Sequence, residues 1–171
     1  MLTQSPKEKL RDIYTRFGIC SQLAQNLETL IVAVLKLVAR SKKPDITTTE
    51  LAELDAELSA HTMGYLLSEL RQKATVDHEL EALLNKALKV RNRLAHRWFG
   101  ENATNLMSQP GRSTCLVELS QTKKFLNQAL NSLLPVVHEY FNKIGWSFAD
   151  VERALSVVMQ AEVPDGPDFS V

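Results

Sequence analysis

Apolar residues recur along this chain at helical spacing, three to four positions apart, and no segment alternates with the two-residue period of a strand. A first helix is predicted from the N-cap Ser5 to about Arg40, and a second, shorter one begins at the capping box Thr47–Glu50. Further helices are predicted over Thr62–Gln72 and from about Asp77 to Trp98. We therefore expect an all-α fold, an up-and-down bundle of about five helices.

The second half of the chain continues the pattern after one interruption. Residues 100–114 carry Asn, Pro and Gly without a periodic pattern and are expected to form the longest loop. A long helix follows and ends before Gly145, and a last helix is predicted from Phe148 to about Ala161. Residues 1–161 would then form a single domain, and residues 162–171 a flexible C-terminal tail.

Composition limits the function without naming it. The chain has 171 residues, is 44 % hydrophobic and balances 20 basic with 20 acidic residues, so any anion site must be local. Cys20 and Cys115 lie far apart without metal-ligand spacing, which favours a reducing cytoplasm. The apolar run over residues 30–38 contains Lys36 and is too short for a bilayer, so we expect a cytoplasmic protein without a membrane span.

Two charges occupy apolar helix faces. Arg91 projects within about 20° of Leu80 on the fourth helix, and Glu28 lies on the apolar face of the first helix. A guanidinium stays protonated in proteins and is rarely buried without a partner, so we expect Arg91 and Glu28 to meet. A structural ion pair and a device that orients Arg91 in a site both explain such a contact.

A polar ridge runs along the same helix at i, i+4, i+7 and i+11, with Lys89, Asn92 and His96 among its members. Most such ridges are solvated faces, and the basic residues toward the end of this helix are what the helix dipole favours. Neither explanation accounts for a central arginine, an adjacent amide and a histidine five positions later at the end of one helix. This combination marks the candidate site.

Residues 91–96, Arg-Asn-Arg-Leu-Ala-His, resemble the R-N-x-x-x-H form of the R-x-x-x-x-H motif of HEPN domains. HEPN domains are all-helical bundles of bacterial toxins, anti-phage defence proteins and RNA-processing enzymes. The stretch from Phe17-Gly18 through Ala24–Glu28 is similar to the first helix of a group of bacterial HEPN-like proteins. The resemblance covers roughly Ser5 to Ala161.

The resemblance implies a metal-independent endoribonuclease whose site forms where two protomers join their motifs. Catalysis would rest on Arg91, His96 and Asn92, with Glu28 supporting Arg91. The imidazole would exchange protons with the ribose 2′-hydroxyl and the leaving oxygen, leaving a 2′,3′-cyclic phosphate. The expected phosphate contacts on the same helix are Arg93, Arg97 and Lys89.

No cofactor is implied, and His61, His78 and His138 lack the spacing of a metal site. The implied partners are a second copy of the chain, an RNA substrate and an antitoxin or regulatory protein. One position departs from the pattern of HEPN toxins that are paired with nucleotidyltransferase antitoxins. Trp98 stands where a modified tyrosine usually follows the histidine by two positions, which argues against that toxin type.

Two other classes of function fit the same residues. The chain could be a non-catalytic HEPN-like module for dimerisation or partner docking, with Glu28 and Arg91 as an ion pair that fixes specificity. It could also be a helical sensor in which the Arg91 site holds a nucleotide or another anion. The position of His96 relative to Arg91 or to a second His96 in a dimer would separate these classes.

Overall fold

The computed structural model describes residues 5–147 and Ala149, and these residues form helices without any strand. The protein is an all-α bundle with five helices of eleven residues or more, as the periodicity predicted. Two short helices form a corner before the last long one. In chain order the helices are α1 (Pro6–Lys42), α2 (Thr48–Ser59), α3 (Met63–Lys73), α4 (His78–His96), α5 (Trp98–Glu101), α6 (Ala103–Met107) and α7 (Gln109–Lys143).

Capping residues set the helix starts that the sequence predicted. The Ser5 hydroxyl accepts from the Glu8 N–H, and the Glu8 carboxylate accepts from the Ser5 N–H at 2.7 Å. Thr47 and Glu50 form the same reciprocal pair before α2. Because these bonds satisfy N–H groups that have no partner inside a helix, they fix where each helix begins.

The helices alternate in direction. Lys9 near the start of α1 donates to Ser113 near the start of α7, and the Arg40 guanidinium lies 5.0 Å from the Trp146 ring just after α7, so these two helices run parallel. Helix α4 runs against α1, since the ring of Phe17 packs 5.3 Å from that of Trp98, which follows α4. The order is that of an up-and-down bundle, with α1, α4 and α7 side by side.

The apolar core is divided into two clusters along α1. The larger one joins the C-terminal half of α1 to α2, α3, the start of α4 and the end of α7. The smaller one surrounds the fully buried Ile13, Cys20, Leu119 and Leu126, with Trp98 almost fully enclosed. Trp98 therefore anchors the end of α4, where the R-x-x-x-x-H motif lies, to both α1 and α7.

The prediction of a long loop over residues 100–114 was wrong. This stretch forms the end of α5, all of α6 and the first six residues of α7, which begins at Gln109. The Ser108 hydroxyl accepts from the Gly111 N–H, and Pro110 occupies the first turn, so a serine–proline helix start was present but unrecognised. Asn102, expected to favour a loop, is buried and its amide donates to the Trp98 carbonyl.

Helix α7 ends at Lys143, and the predicted stop, Gly145, follows the C-cap Ile144 with a φ of 75°. The Trp146 N–H donates to the Phe141 carbonyl at 3.0 Å, the bond that closes a Schellman C-cap. Of the predicted last helix from Phe148 to Ala161 only Ala149 is described, in helical conformation; the rest of that helix and the tail over 162–171 lie outside the described residues.

Helix α1 is long and apolar enough to cross a membrane by length and composition, in contrast to the sequence-based expectation of no span. Core helices of water-soluble proteins meet the same criterion, and α1 packs on α2, α3, α4 and α7. A cytoplasmic location therefore stays a prediction.

Candidate active site at the end of α4

Arg91 and Glu28 meet between α4 and α1, as predicted. Arg91 Nε lies 2.5 Å from Glu28 Oε1. The two side chains remain 30 % and 24 % exposed, so the pair lies at the edge of the apolar stripe rather than in a dry core. Because Glu28 Oε1 is itself inaccessible to solvent and receives no well-aligned hydrogen bond, the contact holds Arg91 chiefly by charge.

The rest of the motif faces solvent. Arg91 Nη1 donates to Asn92 Oδ1 at 3.2 Å, and both Asn92 and His96 are exposed. Asn92 precedes His96 by one helical turn, so their side chains share a face. No hydrogen bond joins Arg91 to His96 within residues 5–147, and a single protomer therefore presents the two groups side by side without closing a site.

A groove of about 260 Å³ opens beside Arg91 between α1 and α4. Its apolar floor is formed by Ala24 and Leu94, and its α1 wall adds the Phe17 ring and two neutral polar side chains. These polar residues, Ser21 and Gln25, were not singled out from the sequence. Their spacing to Glu28, at i, i+4 and i+7, was the available signal, since it puts all three on the flank of α1 that faces Arg91.

Arg93 was predicted as a phosphate contact, and the structure gives it a different environment. Its Nε lies 2.5 Å from Glu101 Oε2, and its Nη1 pairs with Glu118. The Trp98 indole N–H donates to the same Glu118 carboxylate at 2.9 Å. Glu118 first, and then Glu101, hold the pKa of Arg93 above its ordinary value. Two carboxylates thus neutralise this guanidinium and tie α4 to α7, so we assign Arg93 a structural role.

The two other predicted phosphate contacts are in the open. Lys89 is exposed on the polar ridge. Arg97 is 67 % exposed, with Nε 3.8 Å from Glu101 Oε1. A long, weak contact of this kind contributes little in water, so both cations are available to an anionic ligand.

An aromatic patch borders the groove. It consists of Tyr14, Phe17 and Phe99, with the Phe99 ring centre 4.5 Å from Phe17 and 5.8 Å from Tyr14. Tyr14 is 55 % exposed, and Phe99 is 38 % exposed. The patch lies next to the motif because Phe99 directly follows Trp98, the residue that anchors the end of α4.

Within the described part of the chain, no group of three His, Cys, Asp or Glu side chains is arranged to hold a metal ion. No protein-family model matches this chain, and no curated protein or solved structure is significantly similar to it. The resemblance to HEPN domains accordingly rests on the motif and its place in a helical chain.

Proposed function

We propose that the protein is a metal-independent endoribonuclease that acts through a two-fold dimer of the R-x-x-x-x-H motif. One observation carries the proposal. Glu28 holds Arg91 beside a groove, Arg91 reaches Asn92, and the exposed His96 stands one turn further along the same helix. This arrangement supplies a fixed cation and a proton-transfer group on one accessible surface.

The chemistry follows from these groups. One imidazole takes the proton of a ribose 2′-hydroxyl, and the 2′-oxygen attacks the adjacent phosphorus. The bond from phosphorus to the 5′-oxygen breaks, and that oxygen takes a proton from a second imidazole. Arg91 stabilises the charge on the phosphoryl oxygens, and Asn92 orients the arginine or the imidazole. The products would be a 2′,3′-cyclic phosphate and a free 5′-hydroxyl.

The need for two imidazoles is why we propose a dimer. A single protomer offers one histidine in the motif, and a two-fold axis beside α4 would double it. The aromatic patch borders this region and gives a second copy an apolar surface to cover.

Single-stranded or loop RNA is the proposed substrate, because a 2′-oxygen reaches in-line geometry only where the backbone can rotate, and an A-form duplex prevents this. A cytoplasmic toxin or anti-phage defence role, controlled by an antitoxin or regulatory protein, belongs to the same proposal.

The charge pairing around the motif favours a second candidate, a non-catalytic module for dimerisation or partner docking. Glu28 compensates Arg91, and two carboxylates compensate Arg93, so the motif attracts phosphate less than its composition suggests. The groove beside Arg91 would also accept part of a nucleotide in a sensor. Dimers that cleave no RNA would favour these candidates.

The test is RNA cleavage in EDTA by the wild type, Arg91→Ala, His96→Ala and His78→Ala. His78 is exposed at the other end of α4, about 27 Å from His96 at the rise of a helix, and serves as the matched control. We expect activity in the wild type and His78→Ala, and a loss of about 10²-fold or more in the other two. Equal activity in the wild type and His96→Ala would assign the cleavage to a contaminant.

A further inference from the structure

A second groove, of about 560 Å³, lies between α1 and α7. Arg16 from α1 and Lys123 and Lys124 from α7 line it, with Asp12 as the acidic member. Arg16 and Gln25 are nine positions apart on α1 and so point about 180° away from each other. The two grooves therefore occupy opposite flanks of this helix.

The cations that line this groove differ in their contacts. Arg16 Nη1 donates to the Ser120 hydroxyl, which holds the guanidinium against α7. The buried Cys20 lies beneath the groove, since its Sγ donates at 3.3 Å to the carbonyl of Leu119, which lines the groove. Burial raises the pKa of that thiol, and the charge of Lys123 opposes the rise. Within residues 5–147 no ion pair engages Lys123 or Lys124, and both are exposed.

The lysines of this groove differ in pairing from the arginines of the motif helix, where carboxylates compensate Arg91 and Arg93. The protein is neutral overall, so a positive region can arise only where cations cluster apart from carboxylates. The three cations of the groove exceed its one carboxylate by two charges. Thr15 and Asn127 add neutral hydrogen-bond donors, whereas the Ser120 hydroxyl already donates to the Leu116 carbonyl. Cations together with such donors suit phosphodiester oxygens.

We propose that this groove, the α1–α7 groove, binds the phosphate backbone of single-stranded RNA. It would hold the strand whose scissile bond lies at the motif, and this part of the inference rests on the proposed function. Binding itself does not, because it uses none of the motif residues. The main phosphate contacts are then Arg16, Lys123 and Lys124 rather than Arg93.

The surface between the α1–α7 groove and the groove beside Arg91 leaves room for an RNA strand to pass from one to the other. The exposed crest of α1 contains Gly18, where a Cβ would meet no atom within 4 Å, and the exposed Arg11 stands two turns before it. A helix with its side chains is about 10–12 Å across, so a strand of a few nucleotides crosses it. Gly18 leaves that crossing without a side chain.

The experiment measures binding of a fluorescein-labelled oligouridylate as a function of salt, in the His96→Ala background so that the probe stays intact. The test variant adds Lys123→Gln and Lys124→Gln. The control adds Lys42→Gln and Lys143→Gln, the same charge change at the far ends of α1 and α7. We expect the slope of log affinity against log salt to fall by about 1.4 in the test variant and by far less in the control.

The outcomes separate RNA binding by the α1–α7 groove from RNA cleavage by the motif. Equal slopes in the test variant and its parent, or no binding of the probe by the parent, would overturn the inference. Lysine-dependent binding without cleavage by the wild type would support this groove and reject the proposed ribonuclease. Circular dichroism of both double variants checks that they fold, and exposed lysine-to-glutamine changes leave the core intact.

Discussion

At the scale of single residues, the contact between Arg91 and Glu28 shows why a charge can interrupt an apolar stripe. The stripe meets solvent at this edge, so both groups keep part of their hydration while their attraction fixes the guanidinium. Removing one partner of a partly solvated ion pair costs less stability than removing one partner of a fully buried pair, because the remaining charge still reaches water. The main effect of the contact is on the position of Arg91.

Replacing Glu28 by alanine should lower the free energy of unfolding by about 1–2 kcal/mol, because the remaining guanidinium can still reach water. A fully dry pair would cost about 3–5 kcal/mol. Urea denaturation measures the difference, and Glu53→Ala, at an exposed position on α2, is the control for a lost carboxylate. A loss of 4 kcal/mol or more would show that the pair is dry, and no loss would show that the contact is absent in solution.

The Cys20 thiol should be unreactive in the native protein. Burial raises its pKa from near 9 to about 11, and Cys20 Sγ donates to the Leu119 carbonyl at 3.3 Å. Since the folded pKa exceeds the unfolded one, the stabilising contribution is complete below about pH 9 and is lost as pH rises toward 11. In a Cys115→Ser variant at mildly alkaline pH, Ellman's reagent should label Cys20 only after unfolding. Rapid labelling of the folded protein contradicts this environment.

At the scale of elements, the corner between α6 and α7 depends on one glycine. A Cβ at position 111 would lie 2.4 Å from the Asn105 carbonyl oxygen and 2.5 Å from its Cα, so backbone must move to admit it. Gly111→Ala should therefore destabilise the protein by about 2 kcal/mol or more. Gly18→Ala, in open space within α1, should instead stabilise it by about 0.5–1 kcal/mol. Thermal unfolding of the two variants compares them, and shifts of the same sign would refute this account of the corner.

The long helices were predictable because periodicity and caps act locally. Ser5, Thr47 and Gly145 each determine a boundary through bonds within a few residues of themselves. The corner over residues 100–114 was predictable only at the start of α7, where Ser108 and Pro110 give a local signal. Burial of Asn102 and the close approach at Gly111 depend on contacts between α5, α6 and α7, and this packing outweighs the loop preference of Asn and Gly.

The site was predictable to a similar degree. Helical spacing was enough to predict the contact between Arg91 and Glu28. The carboxylates that bind Arg93 were not foreseen, since Glu101 and Glu118 belong to the unrecognised corner and to α7. In the α1–α7 groove, Arg16 is more than a hundred positions from Lys123 and Lys124, a distance over which helical spacing carries no information.

In the whole molecule, a shared cleavage site needs two copies to associate through the side of α1 and α4 that carries the motif. Tyr14→Glu would bury a charge in that contact, so we expect a dimeric wild type and a monomeric variant at micromolar concentration. Leu134→Glu is the control, since this residue is 44 % exposed and lies away from the motif. It stands about 22 Å further along α7 than Leu119, which shares the smaller core cluster with Trp98. Light scattering gives the masses. A monomeric wild type would refute the dimer, and a dimeric Tyr14→Glu variant would place the interface elsewhere.

If one cleavage site needs the motifs of two protomers, an inactive subunit should inactivate its wild-type partner when the two are mixed. Wild type is mixed and re-equilibrated with an equal amount of His96→Ala, and RNA cleavage is measured in EDTA at fixed total protein. If mixed dimers are inactive, about a quarter of the dimers remain competent, so activity falls to about one quarter. Mixing with His78→Ala should cause no loss. Activity of about one half with His96→Ala would mean that each protomer acts alone, and would contradict a site shared by two protomers.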